Sequence, residues 1–300
     1  MKTRCLIWAV AAMVFLSGCI REDRSDCTCD VMLSFIYNGD EGTDIFPEKI
    51  DRVNLYVYSA ADHSLAGEYV YDAQDLARIQ GAHLRLHPGD YRLVCWGNAK
   101  ENTHVHTVYE EAKVGEPAWF RSPEAFTGTD SLYFSDLEVS VPETLQDVSG
   151  TCEFESSHID MYVKLKGFRG AIGPSGEEVR ISFRHTDVPA YTDFSNTPAD
   201  EKCEVTPALS EDPEDEDSYI LEYNVLRFGE DERNSIVLTD NAGGSELYSL
   251  SIPEFIDRFG LEVDGRQEAI VPILITLGPT GVTVEEWNIK DVTPGFDSRK

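Results

Sequence analysis

Basic side chains are scarce in this 300-residue chain: 25 Lys and Arg stand against 55 Asp and Glu, giving a formal net charge of −30 and a sequence pI of about 4.4. Phosphate backbones and anionic headgroups are held mainly through Lys and Arg, so nucleic acid is excluded as a partner and anionic lipid is disfavoured as an electrostatic one. Long apolar runs are also missing. The longest, Cys5–Leu16, has 12 residues, where a spanning helix needs about 20. Motifs with catalytic mechanics are absent too: Gly-x-Ser-x-Gly, a P-loop, Gly-x-Gly-x-x-Gly after a strand and His-Glu-x-x-His do not occur. With 55 acids, some pair always sits at glycosidase-like separation, so paired carboxylates carry no information. The expectation is a protein that is not an enzyme and takes no cofactor. What is present is 41% hydrophobic and 10% aromatic residues, enough to fill one or two cores and too much for a disordered acidic tail.

The short apolar run lies behind Lys2 and Arg4 and ahead of Leu16-Ser17-Gly18-Cys19, the layout of a secretion signal. The LSGC tetrapeptide resembles the bacterial lipobox. That resemblance implies cleavage between Gly18 and Cys19 and acylation of Cys19, so that the mature chain hangs from a membrane by lipid. Two or three acyl chains at about 0.8 kcal/mol per buried CH₂ anchor durably where one is marginal. Losing residues 1–18 removes two basic and no acidic side chains, so the mature chain is two charges more negative. Ile20 follows the cysteine in place of the Asp that resembles an inner-membrane retention signal, which favours an outer membrane. Residues 20–26, IREDRSD, form a polar tether similar to the acidic segment that sends some lipoproteins to the cell surface, and equally fit a solvated linker.

Of seven cysteines, Cys5 leaves with the signal and Cys19 carries lipid. Cys27, Cys29, Cys95, Cys152 and Cys203 remain as candidate disulfide cysteines for an oxidising compartment. Five is odd, so at most two bridges form. Cys27 and Cys29 are poorly placed to pair together, since alternate residues of a strand lie nearly 7 Å apart. No Cys-x-x-Cys or His-x₃₋₅-His partner supplies a zinc site beside them, and no metal is expected.

The dominant period along the rest of the chain is two. Val31–Tyr37 is a β-rich run closed by Asn38-Gly39-Asp40; Val53, Leu55 and Val57 alternate with Asn54, Tyr56 and Tyr58; Tyr91–Trp96 follows the turn His87-Pro88-Gly89-Asp90. Similar texture covers 132–141, 159–165, 179–183, 219–228, 235–238, 247–250, 269–277 and 282–289. Helical spacing is confined to Asp72–Gln80 and Pro253–Phe259. The expected fold is all-β: two tandem antiparallel β-sandwiches with a few short helices. The expected division is a signal at 1–18, a lipidated N-terminus and tether at 19–29, and sandwiches at 30–146 and 147–300. The boundary falls in the polar stretch Pro142–Gly150, and no internal repeat is clear.

Three further features have bland readings. Glu211–Ser218, EDPEDEDS, has the carboxylate density for calcium but not the spacing of a dedicated loop, and reads as a solvated surface segment. His104-x-His106 and His83-x₃-His87 lack a carboxylate at a diagnostic offset and read as ordinary histidines. Trp96, Trp119 and Trp287 are candidates for stacking sugars, with packing favoured for Trp96 and Trp287 at the ends of strand-like runs.

Read in order, Val31–Tyr37, Phe46-Pro47-Glu48-Lys49-Ile50, Val53-Asn54-Leu55-Tyr56-Val57-Tyr58 and Pro88-Gly89-Asp90-Tyr91-Arg92-Leu93-Val94-Cys95-Trp96-Gly97-Asn98 resemble the FimB/Mfa-like family of fimbrial anchor lipoproteins, also called minor fimbrium subunits. Ile159–Phe168, Val179–Phe183, Tyr191–Phe194 and Val282–Trp287 are similar to that family's second half. The resemblance implies two transthyretin-like sandwiches and a protein that tethers a fimbrial shaft to the outer membrane and ends its growth. It also implies partnership with a shaft subunit by strand addition, in which main-chain hydrogen bonds give affinity and alternate side chains give specificity. Stalk subunits of such fimbriae lose their first strand to a protease, whereas an anchor keeps both lipid and strand. A stalk or tip adhesin subunit and a glycan-binding surface lipoprotein are the alternatives.

Overall fold

The computed structural model describes residues 27–115, 126–144, 146–172, 176–241, 245–279 and 281–288. Gly18, Cys19, the signal, the tether up to residue 26, Trp119 and the tail from residue 289 lie outside the described residues.

Alternation decides the first sheet. In β1 (Cys29–Ile36), Val31, Leu33 and Phe35 point inward and are buried, while Met32 and Ser34 face out. A short helix α1 (Phe46–Lys49), with Pro47 in its first turn, leads into β2 (Val53–Ser59), and a hairpin gives β3 (Leu65–Tyr71). Helix α2 (Ala73–Arg78) starts at Asp72, whose carboxylate accepts hydrogen bonds from the Gln74 and Asp75 N–H groups at 2.8 and 3.1 Å. Then come β4 (Gly81–Leu86) and β5 (Gly89–Gly97). After an excursion through the short strands β6 (His104–His106) and β7 (Lys113–Gly115), the chain returns as β8 (Tyr133–Val141), β9 (Val148–Glu153) and β10 (Glu155–Ser156). Sheet β4-β1-β9 packs on sheet β10-β8-β5-β2-β3 over a core that includes Val31, Leu33, Phe35, Leu55, Leu93 and Cys152.

The second sandwich is built from β11 (His158–Lys166), β12 (Ile181–Pro189), β13 (Tyr191–Asp193), β14 (Lys202–Val205), β15 (Ser210–Glu211), β16 (Ser218–Leu226), β17 (Ser235–Asp240), β18 (Ser245–Ser251), helix α3 (Ile252–Phe259), β19 (Ile270–Gly278) and β20 (Gly281–Glu286). Helix α3 ends on Gly260, in the left-handed conformation that a glycine C-cap supplies. Sheet β15-β16-β11-β19-β20 faces sheet β14-β12-β17-β18 around Ile159, Val163, Phe183, Leu238, Phe255 and Ile273.

Two findings depart from expectation. The boundary at 146/147 is displaced. Strand β9 pairs in parallel with β1 from Val31↔Val148 to Ile36↔Glu153, and β10 pairs with β8, so residues 148–156 complete the first sandwich and the crossing point is Ser157. The polar stretch Pro142–Gly150 is the turn into a strand and not a linker. Secondly, the halves repeat one topology: order 4-1-9 facing 8-5-2-3 recurs as 16-11-19 facing 18-17-12-14. In both, the first strand pairs in parallel with a late one, β1 with β9 and β11 with β19, within otherwise antiparallel sheets.

A third layer covers the outer face of β2, β5 and β8. Strands β13, β7 and β6 form a small sheet in which β13 comes from the second sandwich and β7 from the first. Gly115 makes this pairing possible: a Cβ there would sit 2.5 Å from the Ala190 carbonyl oxygen and 2.6 Å from Tyr191 Cα. Beneath the layer lie Tyr56, Tyr58, Trp96, Phe134, Phe194 and Leu226. Both faces of β2 are therefore buried, although its sequence alternates.

A buried histidine couples this core to pH. His185 is fully enclosed, its Nε2 3.0 Å from Asn234 Oδ1 and its Nδ1 3.1 Å from the Tyr223 hydroxyl. Burial pushes its pKa down from 6.5 to about 4, against the Asn234 hydrogen bond. The unfolded chain therefore binds a proton that the folded one refuses, and stability is lost as pH falls from 6.5 towards 4, by up to about 3 kcal/mol. Urea unfolding between pH 7 and 5 should show that slope in the wild-type chain and a flatter one in His185→Gln.

Candidate functional site

Strand β1 lies in a slot between two neighbouring strands. Two ladders fix it: antiparallel pairing with β4 from Cys29↔Leu86 to Ser34↔Gly81, and the parallel pairing with β9. Its inward residues Val31, Leu33 and Phe35 are at most 3% exposed, and burying each contributes about 1.5–3 kcal/mol. Phe35 packs against Phe46 and, edge-on, against Phe154, with ring centroids 5.8 and 5.6 Å apart. Gly81 lets β4 approach: a Cβ there would lie 1.9 Å from the Leu33 carbonyl oxygen.

The C-terminal end of β1 is locked twice. Asp44 accepts hydrogen bonds from the Tyr37 and Phe46 N–H groups at 3.0 and 3.1 Å and from Gln80 Nε2 at 2.8 Å. Burial pushes the Asp44 carboxyl up, but those three donors outweigh it and hold the pKa below the usual carboxylate range. The Tyr37 hydroxyl donates across the seam to Glu268, which also pairs with Lys49. Burial, then Glu268, pushes the Tyr37 phenol well up, so it stays protonated and donating.

The same seam carries further bonds. Asp40 accepts from the Gln267 and Glu268 N–H groups at 2.7 and 3.1 Å, and the Gln267 side chain accepts from Ser156 N–H at 2.9 Å. Arg227 donates to the carbonyls of Ser156, Val263, Arg266 and Gln267.

At its other end β1 emerges beside the β4–β5 turn. Asp30 lies 2.9 Å from His83 and 3.7 Å from Arg85, and His87 Nδ1 lies 3.3 Å from the Cys27 carbonyl oxygen. The pair His83/His87 thus serves the strand's exit, a role that spacing alone did not signal. His104 and His106 lie on β6, away from this exit. Among the described residues no group of three or more His, Cys, Asp and Glu is arranged to hold a metal.

The remaining candidates fall in separate places. Trp96 is fully buried beside Phe134 at 5.1 Å, and Trp287 is 8% exposed, so both pack and neither offers a face for stacking. Of the described cysteines, Cys27 is exposed, Cys29, Cys95 and Cys152 are buried, and Cys203 lies between. Cys95 and Cys152 meet at 4.0 Å; Cys29 and Cys203 instead contact the Pro142 and Pro189 carbonyls.

The acidic segment 211–218 is not a free solvated loop. Asp212 is held by Lys164 at 2.6 Å, Asp215 by Lys166 at 3.2 Å and Glu211 by Arg169 at 3.0 Å. Burial pushes Asp212 up, yet the Lys164 ammonium outweighs it and holds the pKa down. A cleft of about 670 Å³ opens nearby between the sandwiches, lined by Asn98, Lys100, Asp130, Glu211, Ile220 and Glu222 among others. Within it Lys100 pairs with Asp51 and Asn98 bonds the Lys49 carbonyl, so both are engaged inside the chain.

Two sandwiches sharing one topology, with the first strand held between two neighbours, define a tandem β-sandwich protein. Residues 24–293 match the family model of the fimbrillin-A associated anchor proteins Mfa1 and Mfa2, and the chain belongs to that family. The fold matches the fimbrial anchor protein Mfa2 from Porphyromonas gingivalis with a TM-score of 0.64 at 13% identity, over 87% of this chain and 98% of that one. It also matches a candidate polysaccharide-binding protein from Bacteroides thetaiotaomicron VPI-5482 (TM-score 0.64, 14% identity, 86% and 96% covered) and a candidate adhesin from the same organism (0.61, 16%, 87% and 97%). No curated protein matches the sequence. Family membership gives the chain a fimbria-associated structural role, association with a fimbrial shaft protein and a cell-surface or envelope location. Among the described residues no helix is long and apolar enough to cross a membrane.

Two substitutions test the geometry. Gly81→Ala forces Leu33 and with it β1 to move, and should cost about 3 kcal/mol or more in urea unfolding. Lys164→Met leaves Asp212 without its counter-charge and should cost about 2–3 kcal/mol at pH 7. That second deficit should shrink as pH falls through the Asp212 pKa, because the carboxylate's contribution is present only above it.

Proposed function

We propose that this protein is a fimbrial anchor: a lipoprotein cut between Gly18 and Cys19, held in the outer membrane through lipid on Cys19 and exposed at the cell surface. There it engages the first shaft subunit by strand addition and terminates the shaft, so that its supply sets fimbrial length. The observation that carries the reading is the match of residues 24–293 to the anchor-protein family, and it is supported by how firmly β1 is held, paired on both edges and bonded beyond its end to Glu268 of the second sandwich. A subunit that must open a groove for a neighbour needs that strand removed.

The connection between β1 and β2 supports the same reading. Its basic residues are Lys49 and Arg52. Lys49 lies in α1 and pairs with Glu268, while the Arg52 side chain donates to Asn54 at 3.1 Å and its carbonyl accepts from Asn98 N–H at 2.8 Å. A protease that cuts after Arg or Lys needs an extended segment free to enter its site, and these contacts tie both residues to the fold. The glycan-binding alternative has the cleft between the sandwiches in its favour, but the buried Trp96 and Trp287 and the engaged Lys100 and Asn98 leave it less to bind with.

Intact and peptide mass spectrometry of protein extracted from membranes should give a chain that begins at acylated Cys19 and retains residues 29–36. A mature chain starting downstream of Arg52 would falsify the anchor role and favour a stalk or tip subunit. Cys19→Ala should release the protein from the membrane fraction, and cells lacking the protein should carry long or shed fimbriae by electron microscopy.

A further inference from the structure

Cys95 and Cys152 stand apart from the other cysteines. Cys95 projects inward from the middle of β5 and Cys152 from β9, so the two thiols face each other across the first core, between its two sheets. Both are fully buried, with sulfurs 4.0 Å apart. Cys152 is opposite Phe35 of β1, and Cys95 lies between Leu55 of β2 and Ser135 of β8. A sulfur–sulfur bond is about 2.05 Å long and joins side chains converging from separate backbones, the arrangement found here. Cys29 and Cys203 lie against proline carbonyls in different sandwiches.

We propose that Cys95 and Cys152 form an inter-sheet cystine in the protein at the cell envelope. The bond closes by thiol–disulfide exchange with a disulfide oxidant of that compartment, a protein or low-molecular-weight disulfide. One cysteine thiolate attacks a sulfur of the oxidant, giving a mixed disulfide and one released thiolate. The second cysteine thiolate displaces the remaining half of the oxidant. Two cysteine thiols lose two protons and two electrons in total, and the oxidant's disulfide is reduced to two thiols. In the finished core burial pushes the Cys95 thiol well up and shuts out any partner. The exchange therefore takes place while the two sheets are still closing.

The consequence concerns the slot of β1. Strand β9 is one wall of that slot, and the cystine ties it covalently to β5 at the centre of the opposite sheet. The loop so closed runs from Cys95 to Cys152 and takes in β6, β7 and β8, which restricts the unfolded chain. The inference rests on the envelope location and not on the anchor role.

The test uses full-length protein from cells, quenched in acid and alkylated with iodoacetamide in denaturant, with and without prior reduction. Without reductant the digest should contain a linked Cys95–Cys152 peptide pair that separates on reduction, each thiol adding a proton for a gain of roughly 2 Da. Recovery of both cysteines alkylated without reductant overturns the cystine. Because the same digest reads the first residue of the mature chain and its lipid, failure of the anchor role is seen separately. Thermal unfolding adds a second reading: Cys95→Ala, Cys152→Ala and the double variant should each lower the Tm by nearly the same amount, roughly 5–10 °C, since one bond is lost in all three. Single losses that sum in the double variant overturn it.

Discussion

The occupancy of the slot between β4 and β9 governs the rest of this molecule. Without β1 the first sandwich loses the middle strand of a three-stranded sheet, and two ladders of main-chain groups lose their partners. Unpaired buried N–H and C=O groups cost more than a hydrogen bond between them yields, so this sheet has no stable empty form in water. Either the chain's own strand fills it or another chain's does. In this structure the strand at home is the chain's own.

Around that strand the contacts converge from both halves. Asp40 and Tyr37, immediately after β1, reach Gln267 and Glu268 just before β19, which is the parallel partner of the second sandwich's first strand. Arg227 draws four carbonyls to the same seam, and β13 of the second half pairs with β7 of the first on the far side. The two sandwiches thus hold one another at two places, through backbone acceptors and a shared sheet and not through apolar contact alone. The excess of carboxylates sits outside it, with some drawn into ion pairs such as Lys164–Asp212 that pin loops to strands.

Period-two patterning was enough to place most long strands, and the two longer helices fall where a polar residue precedes an apolar stripe: Asp72 before α2 and Ser251 before α3. Three things were illegible for physical reasons. Alternation in β2 says that one face is buried and cannot say that the other face is also covered, because the covering residues Tyr109 and Phe194 arrive from far along the chain. The polar run 142–150 looks like a linker because a turn and a linker share composition; only the pairing of β9 with β1 assigns residues 148–153 to the first sandwich. The repeated topology left no clear repeat in sequence, since strand order depends on inward-facing positions that many apolar residues fill equally well.

The sequence by itself determined the things that act through local chemistry: a strongly acidic charge balance, an all-β fold through its period, and a resemblance carried by short strand patterns. Tertiary structure alone decided which strand lies beside which, that Cys95 meets Cys152 and not Cys29, that the acids of 211–218 are claimed by lysines and an arginine, and that β1 is enclosed on both sides. Those are contacts between residues tens to hundreds of positions apart. A chain fixes them only when burying apolar surface outweighs the entropy of closing the loops between them.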